Sequence, residues 1–276
     1  RAIQLAKLEK PTTTVGFVAT MGALHSGHIS LIKLAQSQCD LVVCSIFVNP
    51  SQFNNSEDLA TYPRVVETDQ KLLAENDCDI LLLPNVAAVY PNGVQPYFIE
   101  LDGLDEGMEG TYRPGHFKGV CMVVERFFEM IQPDKAYFGN KDFQQLAVIR
   151  KMTAVRKLPV EIIGAAIERA ENGLALSSRN ALLTEEQRIR AGLIYKALKS
   201  GLAFYSKSSS STAIKDHITE FFNASEMEIE YIEIINNDSL ISVDEVDENS
   251  TVCIVVFFEN VRLLDNMQFS EVESGS

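Results

Sequence analysis

The spacing of apolar residues switches repeatedly between two periods over the first three-fifths of the chain, and this limits the possible folds more than any other feature. Residues 14–20 alternate in polarity as a strand does, and residues 28–38 then have helical spacing. Residues 40–48 form a continuous run rich in β-branched side chains, which is typical of a strand buried on both faces. This alternation predicts an α/β fold with a doubly wound parallel sheet. In such sheets, ligands bind beyond the carboxyl ends of the strands, near a switch in strand order.

The rest of this region continues the same alternation. A helical pattern covers residues 56–76, and Pro63 is expected to bend or interrupt it. Further strands are predicted at 79–84, 97–101, 134–139 and 160–167, and further helices at 115–131 and 141–158.

The pattern changes near residue 170, where we place a boundary between two domains of residues 1–169 and 170–276. Within the second part, the serine cluster Ser206–Ser211 is typical of a short linker. The mixture of elements predicts a smaller α+β domain, with helices at 184–205 and 211–223 and strands at 227–236 and 251–265.

The composition excludes one class of partner. Lys and Arg number 24 against 38 Asp and Glu, which gives a net charge of −14. A protein that binds nucleic acid needs clustered basic residues, so we expect no nucleic-acid partner. If the substrates are anions, the few basic residues must gather at one site. A basic residue inside a loop motif is therefore a candidate for binding an anionic substrate.

Three features predict a cytoplasmic protein without a membrane partner. The longest purely apolar run, Val252–Phe258, is far shorter than the roughly 20 residues of a membrane span. The first twenty residues lack the apolar core of a signal peptide. The five cysteines show no CxxC pairing, and most of them stand in apolar patterns, as reduced buried thiols do.

Two of the four histidines, His25 and His28, stand three residues apart in the loop "TMGALHSGH". At this spacing an arbitrary pair is more often part of a polar turn, and a zinc site would need ligands that His116 and His217 do not supply in a cluster. The position of the loop favours another interpretation. A helix that starts near Gly27 directs free N–H groups toward a ligand, and two imidazoles above it can donate to a phosphate. The motif therefore predicts a nucleotide site without a P-loop.

Other loops offer groups that suit an anionic or hydroxylated ligand. In "LALSSRN", two hydroxyls and the forked guanidinium of Arg179 suit a polyphosphate, although this stretch taken alone is more typical of an N-capping loop before the helix at 184. Lys141 stands at a helix start, where a cation is unfavourable, so its position indicates a nearby anion. Three glutamines, each equally common as a surface residue, are neutral hydrogen-bonding groups suited to hydroxyls: Gln52, Gln144 and Gln145.

Together these loops carry a resemblance. The ordered series "TMGALHSGH", "SIFVNPSQF", "YPR", "YRPGHFKGV", "AYFGNKDFQQL" and "GLALSSRN" closely resembles the pantoate–beta-alanine ligases, a family of the nucleotidyltransferase group that carries the HxGH motif. The match spans about residues 14–183, and a weaker similarity continues at "VRLLDN" (261–266). Six collinear motifs are a strong signal, whereas a single HxGH would be weak.

The resemblance implies a fold and a reaction. The fold is a Rossmann-like amino-terminal domain that binds ATP and pantoate, followed by a smaller carboxy-terminal domain that closes over the site as a lid. The reaction condenses pantoate with beta-alanine, using ATP and Mg²⁺, and yields pantothenate, AMP and pyrophosphate through pantoyl-adenylate. The resemblance further implies a homodimer. The metal ligands are not identifiable from it, because Mg²⁺ is often held by ATP oxygens and water.

The resemblance also implies site residues, each taken from a matching motif. The expected catalytic residues are His25, His28, Lys141 and Arg179. The expected ATP-binding residues are Met21, Gly22, Ala23, Leu24, His25, Ser26, Gly27, His28, Gly139, Asn140, Lys141, Asp142, Glu168, Leu176, Ser177, Ser178 and Arg179. The expected residues for pantoate and beta-alanine are Gln52, Gln144, Asn49, Tyr62 and Arg113.

Some positions depart from the pattern of the family. Asn140 stands where a glutamate is common, Ala19 replaces a proline, and Met122 stands where threonine is frequent. Residues 165–173 lack the usual Pro-Thr-Val run, so the backbone contact to adenine would fall at Glu168. None of these changes removes a group that the chemistry requires.

Two other functions stay open from the residues alone. The first is another HxGH nucleotidyltransferase, such as a tRNA-charging enzyme, which the acidic composition disfavours. The second is a nucleotide-binding regulatory module without turnover. The presence of Lys141, both loop histidines and the Ser-Ser-Arg sequence disfavours that module, whereas Asn140 keeps it open.

Overall fold

The structure, a computed structural model, describes residues 2–54 and 56–271. Two units build it, and the division falls between Ala166 and Ile167. The first unit packs two apolar clusters around one sheet, and the second unit packs a cluster of its own. Within the described residues, every helix is too short or too polar to pass through a lipid bilayer.

The sheet of the first unit has five strands, all parallel, in the order β3-β2-β1-β4-β5. From β1 the chain moves outward to β2 and β3, and it then returns to the other side of β1 for β4 and β5. The switch in strand order therefore lies between β1 and β4, and the predicted doubly wound sheet is confirmed. The strands are β1 (Val15–Thr20), β2 (Leu41–Ile46), β3 (Ile80–Leu82), β4 (Lys135–Gly139) and β5 (Glu161–Ala165).

Helices cover both faces of this sheet, because successive residues of a strand point to opposite sides. Phe17 on β1 packs edge-on against Phe127, with ring centroids 5.7 Å apart, whereas the next residue, Val18, belongs to the cluster on the other face. Pro63 separates two helices, as expected. The helices of this unit are α1 (Ala2–Glu9), α2 (Ser26–Gln36), α3 (Ser56–Thr61), α4 (Val66–Glu75), α5 (Val86–Val89), α6 (Met108–Tyr112), α7 (His116–Ile131) and α8 (Phe143–Val155).

The strand predicted at residues 97–101 is wrong. Tyr97, Ile99 and Leu101 do alternate with exposed residues, but they pack against the apolar cluster around α7 without joining a strand ladder. The backbone oxygen of Phe98 accepts a hydrogen bond from the Arg156 guanidinium at 3.0 Å. A side chain thus donates to this backbone oxygen, where the backbone N–H of a neighbouring strand was expected.

The second unit packs three helices against an antiparallel sheet of order β6-β7-β8. This confirms the predicted smaller α+β part, with β7 as the central strand. The elements are α9 (Glu185–Ala191), α10 (Leu193–Tyr205), α11 (Ser211–Glu220), β6 (Met227–Asn236), β7 (Ser250–Phe258) and β8 (Val261–Gln268).

Two element boundaries in this unit differ from expectation. The single helix predicted at 184–205 is two helices that meet at Gly192, because the side-chain amide of Asn172 donates to the last carbonyls of α9, those of Arg188 and Ile189, at 2.8 and 3.1 Å. The strand predicted at 251–265 is a hairpin that turns at Glu259, where φ is +50°.

Candidate active site

His25 and His28 occupy the start of α2, directly after the loop that follows β1. His25 is the N-cap residue, and its Nδ1 accepts a hydrogen bond from the backbone N–H of Gly27 at 3.1 Å. In return, Nδ1 of His28 accepts from the backbone N–H of His25 at 3.2 Å. The two side chains form a reciprocal capping box, a role that Ser or Thr and Glu commonly fill. The three-residue spacing of the pair is the spacing that this cap requires.

The cap determines which ring nitrogen carries the proton. A backbone N–H can only donate, so both Nδ1 atoms act as acceptors. In a neutral imidazole the proton then lies on Nε2, the atom that capping leaves available. The two ring centroids are 4.1 Å apart. Two neighbouring Nε2–H donors therefore stand at the start of a helix, where backbone N–H groups also favour an anion.

Both imidazoles are held neutral. Burial and, after it, the charge of Lys141 lower the pKa of His25 to about 4, against an opposing effect of Asp142. Burial, the neighbouring His25 and Lys141 lower the pKa of His28 to about 3. Protonation of either Nδ1 would also break its hydrogen bond, because two donors would then face each other. At neutral pH the pair therefore offers hydrogen bonds without a positive charge.

Lys141 supplies the positive charge, and it comes from the loop after β4. Strands β1 and β4 are parallel neighbours, with Phe17 opposite Ala136, so the loops that follow them emerge at the same edge of the sheet. The lysine stands in a 3₁₀ turn, Asn140–Asp142, directly after Gly139, the last residue of β4. Its ammonium lies 3.8 Å from an oxygen of Asp142 and lowers the pKa of both imidazoles.

The loop after β2 brings Gln52 to the same edge. Asn49 caps the 3₁₀ turn Pro50–Gln52 by accepting from the backbone N–H of Ser51. The Oε1 of Gln52 accepts from Nδ2 of Asn49 at 3.2 Å, and its Nε2 lies 3.0 Å from Sδ of Met21. Since Met21 opens the histidine loop, these contacts join two of the predicted motifs.

Helix α7 packs directly on this turn at Gly119. The Nδ2 of Asn49 also donates to the backbone oxygen of Gly119 at 3.1 Å. A Cβ atom at residue 119 would come within 2.3 Å of the backbone oxygen of Ser51. Because Gly119 has no side chain, the turn that carries Gln52 can come this close to the backbone of α7.

His116, which is not among the predicted site residues, connects two predicted substrate residues. It is 5% exposed, its Nε2 lies 3.1 Å from Nη1 of Arg113, and its Nδ1 lies 2.8 Å from the backbone oxygen of Gln52. A guanidinium can only donate, so Nε2 accepts and the proton lies on Nδ1. Burial and then the charge of Arg113 lower its pKa to about 4, in agreement with a neutral ring. The signal for this role was its place inside the quoted "YRPGHFKGV" motif.

Gln144, on the first turn of α8, is buried and braces a loop. Its Oε1 accepts from the backbone N–H of Glu109 at 3.0 Å. Its Nε2 donates to the backbone oxygens of Leu104 and Glu106 at 3.1 and 3.0 Å. Glu109 also pairs with Arg113 at 3.5 Å. Gln144 is thus linked through this loop to Arg113 and His116.

Two further predicted residues have well-defined neighbours. The ring of Tyr62 packs edge-on against that of Phe53, the residue after Gln52, with centroids 5.9 Å apart. The side-chain oxygen of Asn140 lies over Gly164 on β5, where a Cβ would come within 2.3 Å of it. The first unit therefore gathers the residues predicted from five separate motifs.

The remaining predicted residues belong to the second unit and lie near one another there. The backbone N–H of Leu176 donates to the oxygen of Glu168 at 2.9 Å. Ser177 caps the 3₁₀ helix Ser178–Leu182 by accepting from the backbone N–H of Arg179 at 3.2 Å. The loop thus does form a cap, but it caps this 3₁₀ helix, whereas Thr184 caps the helix that begins at Glu185.

The weaker motif "VRLLDN" supports the same region of the second unit. Asp265, which is buried, binds both terminal nitrogens of Arg169, at 2.6 and 3.0 Å. The guanidinium also donates to the backbone oxygen of Gly173 at 3.1 Å. This bidentate pair fixes the residue that follows Glu168.

Comparisons with known proteins give a consistent result. The sequence profile described as pantoate–beta-alanine ligase matches residues 1–268. A pantothenate synthetase of Cytophaga hutchinsonii is 46% identical over 274 residues, which cover 96% of this chain and 95% of that protein. A pantothenate synthetase of Porphyromonas gingivalis is 45% identical over 261 residues, covering 94% of this chain and 92% of that protein.

Solved structures agree with the sequence comparisons. A pantothenate synthetase of Thermus thermophilus superposes with a TM-score of 0.88 at 37% identity, covering 97% of both chains. A pantoate–beta-alanine ligase of Francisella tularensis superposes with a TM-score of 0.76 at 33% identity, covering 97% of this chain and 96% of that one. The chain therefore belongs to the pantoate–beta-alanine ligase family and is a ligase that forms pantothenate.

Proposed function

We propose that this chain forms pantothenate in two steps, the first of which consumes ATP. A carboxylate does not condense with an amine at neutral pH, because its leaving group would be an oxide. Transfer of AMP from ATP to the carboxylate of pantoate releases pyrophosphate and gives pantoyl-adenylate, which has a good leaving group. The amine of beta-alanine then attacks the acyl carbon and expels AMP. Neither step needs a nucleophile from the protein.

The main task of the protein is to position two anions that repel each other, the carboxylate of pantoate and the α-phosphate of ATP. We assign this task to His25, His28 and Lys141 of the first unit and to Arg179 of the second. The imidazoles contribute uncharged donors and Lys141 a full positive charge, so a growing phosphate charge meets groups already oriented toward it. These neutral donors beside a lysine are the observation that carries the proposal.

We further assign the binding residues by motif. ATP would contact the loop Met21–His28 and the turn after β4, and the second unit would contribute Glu168 and the stretch Leu176–Arg179. Support for the ligands comes from the Francisella tularensis relative, whose structure is described as a complex with beta-gamma ATP and beta-alanine. The residues proposed to hold pantoate and beta-alanine are Gln52, Gln144, Asn49, Tyr62 and Arg113.

We propose that ATP acts together with Mg²⁺. Among residues 2–54 and 56–271, no group of three or more His, Cys, Asp or Glu side chains stands ready to hold a metal ion. Mg²⁺ usually keeps several waters and binds substrate phosphates with only one or two carboxylates. The residues present therefore fit an ion that arrives on ATP, where it would neutralise part of the phosphate charge.

Three assignments concern the whole protein. We propose a cytoplasmic homodimer, with residues 1–169 as the ATP- and pantoate-binding domain and residues 170–276 as a lid. A lid would keep water from the labile acyl-adenylate. Sedimentation equilibrium tests the dimer, because its mass would be twice that of a 30.7 kDa chain.

One set of assays tests the reaction. The protein is incubated with ATP, Mg²⁺, pantoate and beta-alanine, and AMP, ADP and pyrophosphate are measured. We expect AMP and pyrophosphate in amounts that depend on both substrates. With pantoate but no beta-alanine, labelled pyrophosphate should still exchange into ATP, because adenylate formation is reversible. Production of ADP would instead indicate a kinase, and absence of exchange would contradict the adenylate.

A further inference from the structure

We propose that Asp69 is a positioning residue that holds the histidine loop in its working shape. Asp69 stands in the first turn of α4 and is only 1% exposed. Its Oδ2 accepts from the backbone N–H of Ala23 at 2.9 Å, and its Oδ1 accepts from that of Leu24 at 2.7 Å. Two successive backbone groups of the loop are thus bound by one carboxylate.

The loop needs such a partner because its backbone is unusual. Gly22 has φ of +84° and Ala23 has φ of +49°, so two consecutive residues are left-handed. Glycine adopts this conformation readily, but a residue with a Cβ does so only where other contacts hold it. The carboxylate of Asp69 binds the N–H of this strained alanine and the N–H of the residue after it.

The carboxylate acts on the imidazoles through the chain. Leu24, whose N–H the carboxylate binds, directly precedes the N-cap residue His25. The Nδ1 of His25 accepts from the N–H of Gly27, and the backbone N–H of His25 donates to Nδ1 of His28. The loop is also pressed against Asp69, because a Cβ at Gly22 would lie 3.0 Å from Oδ2. A shift of this segment would therefore move both Nε2–H donors.

An ionised carboxylate suits this role better than a neutral side chain. It accepts only, so both oxygens can face N–H groups. An acidic group near an anion site is otherwise unfavourable, and two backbone N–H donors offset its charge. An asparagine keeps the shape but turns one acceptor into a donor that faces another donor.

The first experiment compares Asp69→Asn with Glu67→Gln. Glu67 lies on the same turn of α4 and is exposed, so its substitution removes an equal charge from the same helix end. For Asp69→Asn we expect kcat to fall on the order of 10²-fold, as for a misplaced catalytic group, with a much smaller change in the KM for ATP. Glu67→Gln should leave both constants unchanged. Normal kcat in Asp69→Asn overturns the proposal.

A double substitution tests whether Asp69 acts through the imidazole. The inference rests on the proposed role of His28, so His28→Ala is measured first. If Asp69 acts by positioning both imidazoles, Asp69→Asn should cost clearly less activity in the His28→Ala background than it costs alone, because only the positioning of His25 then remains to be lost. Multiplied losses would overturn the positioning role. Normal turnover of His28→Ala alone would instead reject the role of His28, so the two failures are distinguishable.

A spectroscopic measurement and a second variant at the same position extend the test. The ¹⁵N shifts of the imidazoles should show Nε2–H for His25 and His28 in the unchanged protein and a mixture of tautomers in Asp69→Asn. If Asp69→Asn does not fold, Asp69→Glu keeps the charge but displaces the loop, and we expect its kcat to fall as well. Unchanged shifts, full activity of Asp69→Glu, or recovery of Asp69→Asn by excess Mg²⁺ would each overturn the proposal.

Discussion

His25 and His28 each use one ring nitrogen to cap the helix, and the other nitrogen is the one that we propose binds a ligand. The motif therefore combines a structural and a chemical requirement within the same two side chains. Serine or glutamate would satisfy the cap but would not present a second donor on a rigid ring. At the scale of the residue, this explains why histidine stands where capping alone would accept smaller side chains.

The two requirements can be separated by substitution of His28. Glutamine is a common partner in a capping box and can accept the N–H of His25, whereas alanine cannot. We expect His28→Ala to lower kcat by roughly 10²–10³, by analogy with the loss of an oxyanion donor, and to reduce stability. His28→Gln should recover the thermal stability but not the turnover. Full activity of either variant would remove His28 from the catalytic role.

The low pKa values of the two histidines predict an unusual response to acid. The unfolded chain has histidine pKa values of about 6.5, so between that pH and about 4 it binds more protons than the folded chain. These groups therefore lower the free energy of unfolding as the pH falls through this window and have no such effect above it. Proton NMR should show both imidazoles still neutral at pH 5.5. A midpoint near 6.5 for either ring would contradict this.

At the scale of the element, the site is built from the segments that come directly after the strands. The loop after β1 carries the histidines, the turn after β2 carries Gln52, and the turn after β4 carries Lys141. The order of strands and helices was predictable because the period of the apolar residues reports it directly. The false strand at 97–101 was not distinguishable, since side chains packed on a helix layer alternate as those of a strand do.

A substitution of Gln144, on the first turn of α8, tests its proposed role in binding pantoate. Its amide braces the backbone of residues 104–109, which continues to Arg113. We expect Gln144→Ala to raise the KM for pantoate with a smaller effect on kcat, and to lower stability because buried backbone groups lose their partner. Gln145→Ala, at the next position, serves as the control. An unchanged KM for pantoate in Gln144→Ala would contradict the assignment.

At the scale of the whole molecule, each unit has its own apolar core. The cluster of the second unit contains only residues between Leu174 and Phe269, and those of the first contain none beyond Ala165. Each core is formed by residues of a single continuous stretch of chain. Either stretch therefore has the means to fold without the other.

We expect a fragment of residues 167–276 to fold by itself. Circular dichroism should show helix and strand, with one cooperative thermal transition. Ile254 lies on the central strand β7 and is 1% exposed, so Ile254→Ala should cost about 2–5 kcal/mol and shift this transition downward. Exposed Ile241→Ala is the control, with little expected effect. A fragment without a cooperative transition would contradict an independent core.

Much of the candidate site was predictable because its residues stand in short collinear motifs, as His25, Lys141 and Gln52 do. His116 and Asp69 were harder to predict for a physical reason. Each acts through hydrogen bonds to the backbone of a distant loop, and such a bond leaves no spacing rule in the sequence. The break at Gly192 was hidden for the same reason, since its cause is the side chain of Asn172 on an earlier loop.

The close packing at Gly119 has a consequence for redesign. Because the turn that carries Gln52 already touches the backbone of α7, it has no room to retreat in that direction. If Gln52 holds the acid as proposed, a variant meant to accept a bulkier hydroxy acid would have to gain space at another contact of this turn, such as the one between Phe53 and Tyr62. We therefore expect substitutions that enlarge residue 119 to be poorly tolerated in any such redesign.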